Sequence, residues 1–322
     1  MSALAMRSDN ADCPSLSLTQ AEIEHFALHG YVVKKNVLDP DKLQAAVDVV
    51  WDEMPDSFDR GDPATWRGHV VDCNGNQSIT ARYGKVKLRD HIWGNETLDD
   101  LSVRNADIFA MVEQLLGAGN VVPPERFRGL YPIFPTPEHR NIPVRAHVDV
   151  TEIPFKVSVA AYLNDVPSGG GALMVWPGSH RTLFYDYETD SSSMSNTRTA
   201  SFRKDFSLIN RSEPVEITGN AGDIILFHYC LMHAAGINTI DGHVRHALFS
   251  NYRTPRCDEM KNAPRRNDIW DGWEGIRQLD TPAIRESSSP PADPLQGRDT
   301  VRGRNLMILV ARGQRRFLKL FS

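Results

Sequence analysis

The sequence has few cysteines and no arrangement of them that would hold a zinc ion. Its 322 residues include four, Cys13, Cys73, Cys230 and Cys257, and no two stand as C-x-x-C. The intervals fit neither a zinc signature nor a dense disulfide framework. Reduced thiols are typical of the cytoplasm, so we expect a cytoplasmic protein.

Long apolar runs and an excess of charge of one sign are also missing. No stretch reaches the roughly 18 apolar residues that a membrane span needs. The polar residues 1–18 lack the apolar segment of a secretory signal, so none is expected. The formal net charge of −5 gives no basic excess for nucleic acid or an anionic membrane. We therefore expect neither nucleic acid nor membrane as a partner.

Helices are predicted in the N-terminal third. Thr19 and Glu22 have capping-box spacing, and Gly30 would end this first helix. A short strand follows at 31–33, and Asp39 with Pro40 would begin a second helix that reaches residue 51. A third helix is expected over 106–116. We expect residues 1–17 to be flexible and 18–322 to form a single domain.

Short strands dominate from about residue 125 to 255. The candidates are 127–131, 145–151, 156–163, 172–176, 215–218, 224–233 and 244–252. Strands separated by turn residues predict an antiparallel sandwich or barrel, and the preceding helices make the chain α+β. Residues 186–205 are polar and are expected to be a lid or disordered, and 285–300 a linker or mobile loop. We assign no secondary structure to residues 55–105, and residues 301–322 form a basic tail.

Two potential metal ligands are spaced for one face of a strand. Side chains alternate between faces, so His147 and Asp149 would point together while Val148 and Val150 face a core. His233 ends the apolar run 224–233 and is the candidate third ligand. Two histidines and one carboxylate leave one side of a metal open, an arrangement that favours iron(II).

His228 and Arg245 are the other polar residues of these apolar strands. His228 lies five residues before His233, faces the other way and is expected to belong to the core. Arg245 would share a face with Ala247 and Phe249, where an unpaired guanidinium is costly. A bidentate carboxylate would satisfy it, either from a protein side chain or from a bound organic acid.

The motifs together resemble the phytanoyl-CoA dioxygenase family. They are His147-x-Asp149, the segment Gly169–His180, Gly222-Asp223, His233-x-x-Gly236-x-Asn238 and Arg245. The resemblance covers residues 18–55 and 125–255. It implies a double-stranded β-helix (a cupin-like jelly roll) with helices packed on one side.

The resemblance also implies a chemistry. It gives iron(II) ligands at His147, Asp149 and His233, with O₂ and 2-oxoglutarate as co-substrates and Arg245 binding the distal carboxylate. Arg128 would touch the other end of 2-oxoglutarate, where relatives often carry a neutral amide. Because Asp149 is present, we expect oxygenation or oxidation of a small molecule and not halogenation.

Family members act on acyl-CoAs, amino acids and specialised metabolites, and the last class is our expectation here. Substrate contacts are sought in 55–105, 186–205 and around Trp270 and Trp273, although the aromatic side chains there could equally be ordinary packing. His180 is expected to be structural. Two other functions stay open: a non-catalytic binding protein with a degenerate site, and a cupin-type metal enzyme that does not use 2-oxoglutarate.

Overall fold

The computed structural model describes residues 16–189, 198–260, 263–265 and 267–291. The helices are α1 (Gln20–His29), α2 (Pro40–Asp52), α3 (Glu96–Asp100), α4 (Ala106–Leu116), α5 (Ser179–Leu183), α6 (Phe202–Asn210), α7 (Cys257–Met260), α8 (Glu274–Arg277) and α9 (Pro282–Ser287). The strands are β1 (Tyr31–Lys34), β2 (His69–Asp72), β3 (Gly75–Ser78), β4 (Gly129–Leu130), β5 (Val157–Tyr162), β6 (Leu173–Val175), β7 (Val215–Ile217), β8 (Ile224–His228), β9 (His233–Ala235) and β10 (Ala247–Tyr252).

Two antiparallel sheets form the centre of the molecule. The larger has the order β1-β8-β5-β10-β4, and the smaller has the order β7-β6-β9. Their inner faces share one apolar cluster, which includes Ile225 and Phe227 from the larger sheet and Leu173 and Val175 from the smaller. This sandwich, with its helices, confirms the predicted α+β jelly roll.

The N-terminal helices follow their local sequence signals. Thr19 Oγ1 accepts a hydrogen bond from the Glu22 amide (3.2 Å), and the Glu22 carboxylate accepts one from the Thr19 amide (2.7 Å). Gly30 ends α1 in the left-handed region, at φ 83°. Asp39 caps α2, accepting from the Asp41 amide at 3.0 Å, so the predicted helix starts are confirmed.

Helix α1 packs on a buried aromatic group outside the sandwich. Phe26 lies 6.3 Å from Trp270 and 5.8 Å from Trp273 between ring centroids. Both tryptophans are 0% exposed. Of the two roles that the sequence left open for these tryptophans, the structure favours packing, because they fill the core between helix and sheet.

Two predicted strands differ from the structure. The run 224–233 is split by a turn after His228, where the Leu231 amide donates to the His228 carbonyl (2.8 Å), and His233 begins β9 in the other sheet. The segment 145–151 forms no continuous ladder: it has only isolated bridge positions, at His147 and Thr151. Val148 is buried but Val150 is 38% exposed, so the prediction that both valines face a core was wrong for Val150. Strand β9 pairs with β6 along one edge. On its other edge, only its first residue, His233, pairs with His147.

An extended segment that the sequence left unassigned lies along the β4 edge of the larger sheet. Residues 85–89 run antiparallel to 130–133, with Leu88 and Leu130 exchanging both main-chain hydrogen bonds at 2.9 Å. Val86 and Leu88 are buried, and the side chains that alternate with them, those of Lys85, Lys87 and Arg89, face the opposite way. The pattern Lys-Val-Lys-Leu-Arg is thus that of a strand with one apolar face.

Some expectations fall outside the described residues. These are most of the N-terminal segment (1–15), the centre of the expected lid (190–197), residues 292–300 and the basic tail (301–322). Helix α6 begins at Phe202, inside the segment expected to be a lid or disordered. No helix in the described ranges is long and apolar enough to cross a membrane.

Gly84 should be required where this segment begins. It has a φ of +76°, and a Cβ there would lie 2.0 Å from the Phe134 carbonyl oxygen. We expect Gly84→Ala to lower the free energy of unfolding by about 2 kcal/mol or more, in chemical denaturation. Gly94→Ala is the matched control, because Gly94 has a φ of +83° and a Cβ there would have no atom within 4 Å. Equal losses in both variants would contradict a close-contact requirement at Gly84.

Candidate metal centre

The structure brings the three predicted ligands together. The ligand atoms of His147, Asp149 and His233 lie within 4.8 Å of one another. His147 Nε2 is 3.7 Å from Asp149 Oδ1, and His233 Nε2 is 3.6 Å from Asp149 Oδ2. Asp149 and His233 are buried, whereas His147 is exposed. In the described part of the chain this is the group of histidine and carboxylate side chains suited to a metal ion.

Main-chain hydrogen bonds hold the two histidines side by side. The His147 amide donates to the His233 carbonyl and the His233 amide to the His147 carbonyl, each at 2.9 Å. The two imidazole centroids are consequently 4.4 Å apart. This one bridge joins residues far apart in the sequence, and it sets the separation of the two rings.

Each imidazole is also fixed in its tautomer. His147 Nδ1 lies 3.1 Å from the Arg145 carbonyl oxygen, and His233 Nδ1 lies 2.9 Å from the Leu231 carbonyl oxygen. A carbonyl can only accept, so both Nδ1 atoms carry hydrogen, and it is the Nε2 atom of each ring that is left to bind a metal. Metal-binding histidines commonly have this arrangement. Burial lowers the pKa of His233 to about 4, which keeps it neutral near neutral pH.

Arg128 forms a bidentate ion pair with Asp149. Its Nη2 lies 2.9 Å from Asp149 Oδ1, and its Nη1 contacts Oδ2. Burial alone would raise the pKa of the Asp149 carboxyl, but Arg128 and His233 hold it well below its usual range. The carboxylate is therefore ionised, as a metal ligand must be. Whether Arg128 also reaches 2-oxoglutarate stays a prediction.

Arg245 is buried with part of its guanidinium unused. It is 3% exposed, and its Nε donates to the Gly171 carbonyl oxygen at 3.1 Å. Its Nη1 is buried and has no hydrogen-bond partner. Burial lowers the pKa of Arg245 to about 10, so it remains charged at neutral pH. A buried, charged donor without a partner is expensive unless a ligand supplies the acceptor.

The ligands and Arg245 open into the same cavity, of about 270 Å³. Ile133, Leu173 and Ala235 are among its apolar lining. Its basic residues are Arg82, Lys85, Lys87, Arg89, Arg128, Arg145 and Arg245. Only Arg128 and Arg245 of these were expected. The substrate contacts predicted for residues 55–105 gain support, because Ala81–Arg89 supply much of the lining.

The remaining histidines singled out by the sequence belong to the core. His228 is 0% exposed, stacks on Trp273 with centroids 4.8 Å apart, and accepts from the Cys230 amide at 3.0 Å. His180 is 0% exposed, and its Nε2 lies 3.1 Å from the Ala27 carbonyl oxygen. Both serve packing between helices and sheet, as expected.

Comparison with known families decides the affiliation. The model of the family described as Phytanoyl-CoA dioxygenase (PhyH) matches residues 26–247, a range that contains the three candidate ligands and Arg245. The chain belongs to the phytanoyl-CoA dioxygenase family. It is therefore an oxidoreductase of the iron- and 2-oxoglutarate-dependent dioxygenase class, as the sequence predicted.

Three solved structures illustrate what this chain is similar to. The epimerase SnoN from nogalamycin biosynthesis, in complex with Fe³⁺, alpha ketoglutarate and nogalamycin RO, is 18% identical over 73% of this chain and 83% of its own, with a TM-score of 0.49. EctD from S. alaskensis with 2-oxoglutarate and 5-hydroxyectoine is 19% identical over 76% and 79%, with a TM-score of 0.46. AviO1 from Streptomyces viridochromogenes Tue57 is 20% identical over 73% and 94%, with a TM-score of 0.45. No curated protein matches the chain. These likenesses name no substrate for this family member.

Removal of Arg128 should reveal the charge balance of the site. In the metal-free protein, Arg128→Gln leaves the buried Asp149 carboxylate without its counter-charge, and we expect a loss of about 3–5 kcal/mol in the free energy of unfolding. A bound divalent metal supplies that charge, so the metal should stabilise the variant more than the wild type. Thermal unfolding with and without metal measures both effects.

The double variant Arg128→Gln/Asp149→Asn is the control. It removes the charge together with its partner, so its metal-free stability should exceed that of Arg128→Gln alone. A double variant less stable than the single one would contradict the charge-balance explanation.

Proposed function

We propose that His147, Asp149 and His233 bind iron(II) and that Arg245 binds the distal carboxylate of 2-oxoglutarate. The enzyme would hydroxylate or otherwise oxidise a small organic substrate, with release of succinate and CO₂. The observation that carries this proposal is the pairing of an open three-ligand set with a buried, partnerless arginine nitrogen in one cavity. Iron and 2-oxoglutarate, when bound, supply the activation of O₂ and the oxidising power.

The donor set fits iron(II) better than a structural zinc ion. Two neutral imidazole nitrogens and one carboxylate are the ligands of the facial triad, which leaves positions for an organic acid and O₂. A structural zinc site is usually closed by four ligands, often thiolates. Cys230 is buried beside His228 on the side of the core, and it is absent from the cavity lining.

Arg245 fits a carboxylate at the inner end of the cavity. Its Nε is committed to Gly171, which orients the guanidinium, and Nη1 is left for the ligand. Ala235 and Leu173 line the cavity in this region and offer it no acceptor side chain. A carboxylate there would satisfy the arginine, and exclusion of water would strengthen the pair.

The protein's remaining contribution is to hold the ligands and limit the reaction. The two carbonyl-bound Nδ1–H groups fix the imidazoles, and Arg128 holds the carboxylate. Asp149 occupies the position that a halide would need, which supports oxygenation or oxidation. Of the substrate classes the resemblance implies, we propose a specialised metabolite.

A cytoplasmic location is part of the proposal. Among the described residues, Cys73, Cys230 and Cys257 form no disulfide, which supports a reducing compartment.

The metal site is tested by anaerobic titration of the metal-free protein with iron(II) and 2-oxoglutarate. We expect the visible metal-to-ligand charge-transfer band in the wild type and none in His233→Ala. His180→Ala is the control, because His180 is a buried histidine of the core. The folded fraction of this variant should still show the band. Iron binding without a band would favour the cupin-type alternative, and no iron binding would favour the degenerate binding protein.

The role of Arg245 is tested by its effect on 2-oxoglutarate alone. Arg245→Met should raise the KM for 2-oxoglutarate by about tenfold or more, because a charge-assisted bidentate pair is lost. Arg245→Lys should recover part of the affinity, since it restores charge without the planar fork. Iron affinity, measured separately, should be unchanged in both variants. An unchanged KM in Arg245→Met would place the distal carboxylate elsewhere.

A further inference from the structure

A row of cationic side chains faces the cavity from the segment Lys85–Arg89. Lys85, Lys87 and Arg89 lie on one face of this extended segment and all three line the cavity, as does part of the buried Val86 between them. The segment is pinned to residues 130–133 by main-chain hydrogen bonds. The row is therefore a fixed feature of the wall.

The charged groups of these side chains form no ion pair with an acidic side chain of the described residues, and the contact of the Asp72 carboxylate with Lys87 is to the main-chain amide only. Ion pairs are common elsewhere on this chain, for example Lys42 with Asp100 at 2.6 Å and Arg60 with Asp48 at 2.7 Å. None joins an acidic side chain to Lys85, Lys87, Arg89, Arg82 or Arg145. The one acidic residue of the cavity lining, Asp149, is already paired with Arg128. The wall thus carries a surplus of positive charge.

Partial burial makes that surplus unfavourable in the empty cavity. Burial, followed by the charges of Arg245 and Arg145, lowers the pKa of Lys85 to about 8. Burial, followed by the charge of Arg89, also lowers the pKa of Lys87. A bound anion would reverse both effects. Solvated surface lysines would not show this combination of burial and mutual repulsion.

2-Oxoglutarate accounts for only part of the surplus. One of its carboxylates is assigned to Arg245 and the other to the metal. Ile133 is bridged on one side to Lys85 and on the other to Arg245, so Lys85 lies across one strand from Arg245. Lys87 and Arg89 follow two and four residues later, around the bridge between Leu88 and Leu130. Lys87 and Arg89 therefore belong to the end of the row away from the distal-carboxylate site.

Arg89 is oriented for a ligand as well as charged. Its Nε donates to the Tyr131 hydroxyl at 2.9 Å, and its guanidinium lies over the Tyr131 ring, 5.5 Å from the centroid. Tyr131 in turn packs on Phe249, with centroids 5.1 Å apart. The two Nη groups make no hydrogen bond to a described residue, and they could present a planar fork to an oxyanion.

We propose that the substrate is an acidic small molecule whose carboxylate or phosphate group is bound by Lys87 and Arg89. This inference rests on the proposed function, since it assigns the second occupant of the same cavity. The negative charge of the substrate would then decide whether it binds: an acid should bind, and its neutral ester or amide should not. Lys87 and Arg89 would be binding residues, placed apart from the metal ligands.

The test is calorimetric titration of the anaerobic protein, with and without saturating iron(II) and 2-oxoglutarate. The probes are phenyl phosphate, 3-phenylpropionate and neutral 3-phenylpropanamide, so that phosphate, carboxylate and uncharged arms are compared. The variant is Lys87→Gln/Arg89→Gln. The control is Arg203→Gln/Lys204→Gln, which removes the same charge from exposed positions of α6, outside the cavity lining.

We expect saturable binding of at least one acidic probe to the wild type and the control, weakened at least about tenfold in Lys87→Gln/Arg89→Gln. The stronger acidic arm identifies the group as phosphate or carboxylate. No saturable binding of either acid, equal binding of the amide, or equal binding by Lys87→Gln/Arg89→Gln would overturn the proposal. Loss of the charge-transfer band in Lys87→Gln/Arg89→Gln would also overturn the proposal, because the two residues would then bind 2-oxoglutarate.

Absence of the band in the wild type would refute the proposed function and not this inference. The titration of the metal-free protein would still test whether Lys87 and Arg89 bind an acid.

Discussion

The main-chain bridge between His147 and His233 is the contact on which the candidate site depends. It joins two segments 86 positions apart by a reciprocal pair of 2.9 Å hydrogen bonds. Backbone hydrogen bonds position a residue more rigidly than a flexible side chain can. With the rings held 4.4 Å apart, only Asp149 has to be added to complete the ligand set, and it lies two residues from His147. The sandwich matters to function because it brings the first residue of β9 to this point.

Charge balance is the second constraint on the cavity. A buried carboxylate and a buried guanidinium each need a partner. Asp149 finds one in Arg128, whereas Arg245 keeps a buried nitrogen without an acceptor. Lys85, Lys87 and Arg89 add further positive charge along the cavity wall, and no acidic side chain of the described residues forms an ion pair with them. The protein is thus arranged for anionic ligands, of which 2-oxoglutarate is one.

The features set by local sequence could be predicted, and those set by distant contacts could not. The Thr19–Glu22 capping box and the Gly30 stop involve neighbours in the chain, and both are present. The three candidate ligands could be predicted because strand alternation places His147 with Asp149, and because the motifs are specific in combination. The strand predicted over 145–151 failed because pairing depends on a distant partner, and β9 offers only His233. The Arg128–Asp149 pair and the unused nitrogen of Arg245 are properties of packing. The alternation of cationic and apolar residues over 85–89 was readable as a strand, but no local turn signal framed it.

The most direct test of the account is a crystal structure of the protein grown anaerobically with iron(II) and 2-oxoglutarate. The account predicts one metal bound by His147 Nε2, His233 Nε2 and the Asp149 carboxylate. It also predicts the distal carboxylate of 2-oxoglutarate on Arg245, with the side chains of Lys87 and Arg89 still free for a further ligand. A metal bound elsewhere, or a co-substrate whose distal carboxylate avoids Arg245, would contradict it.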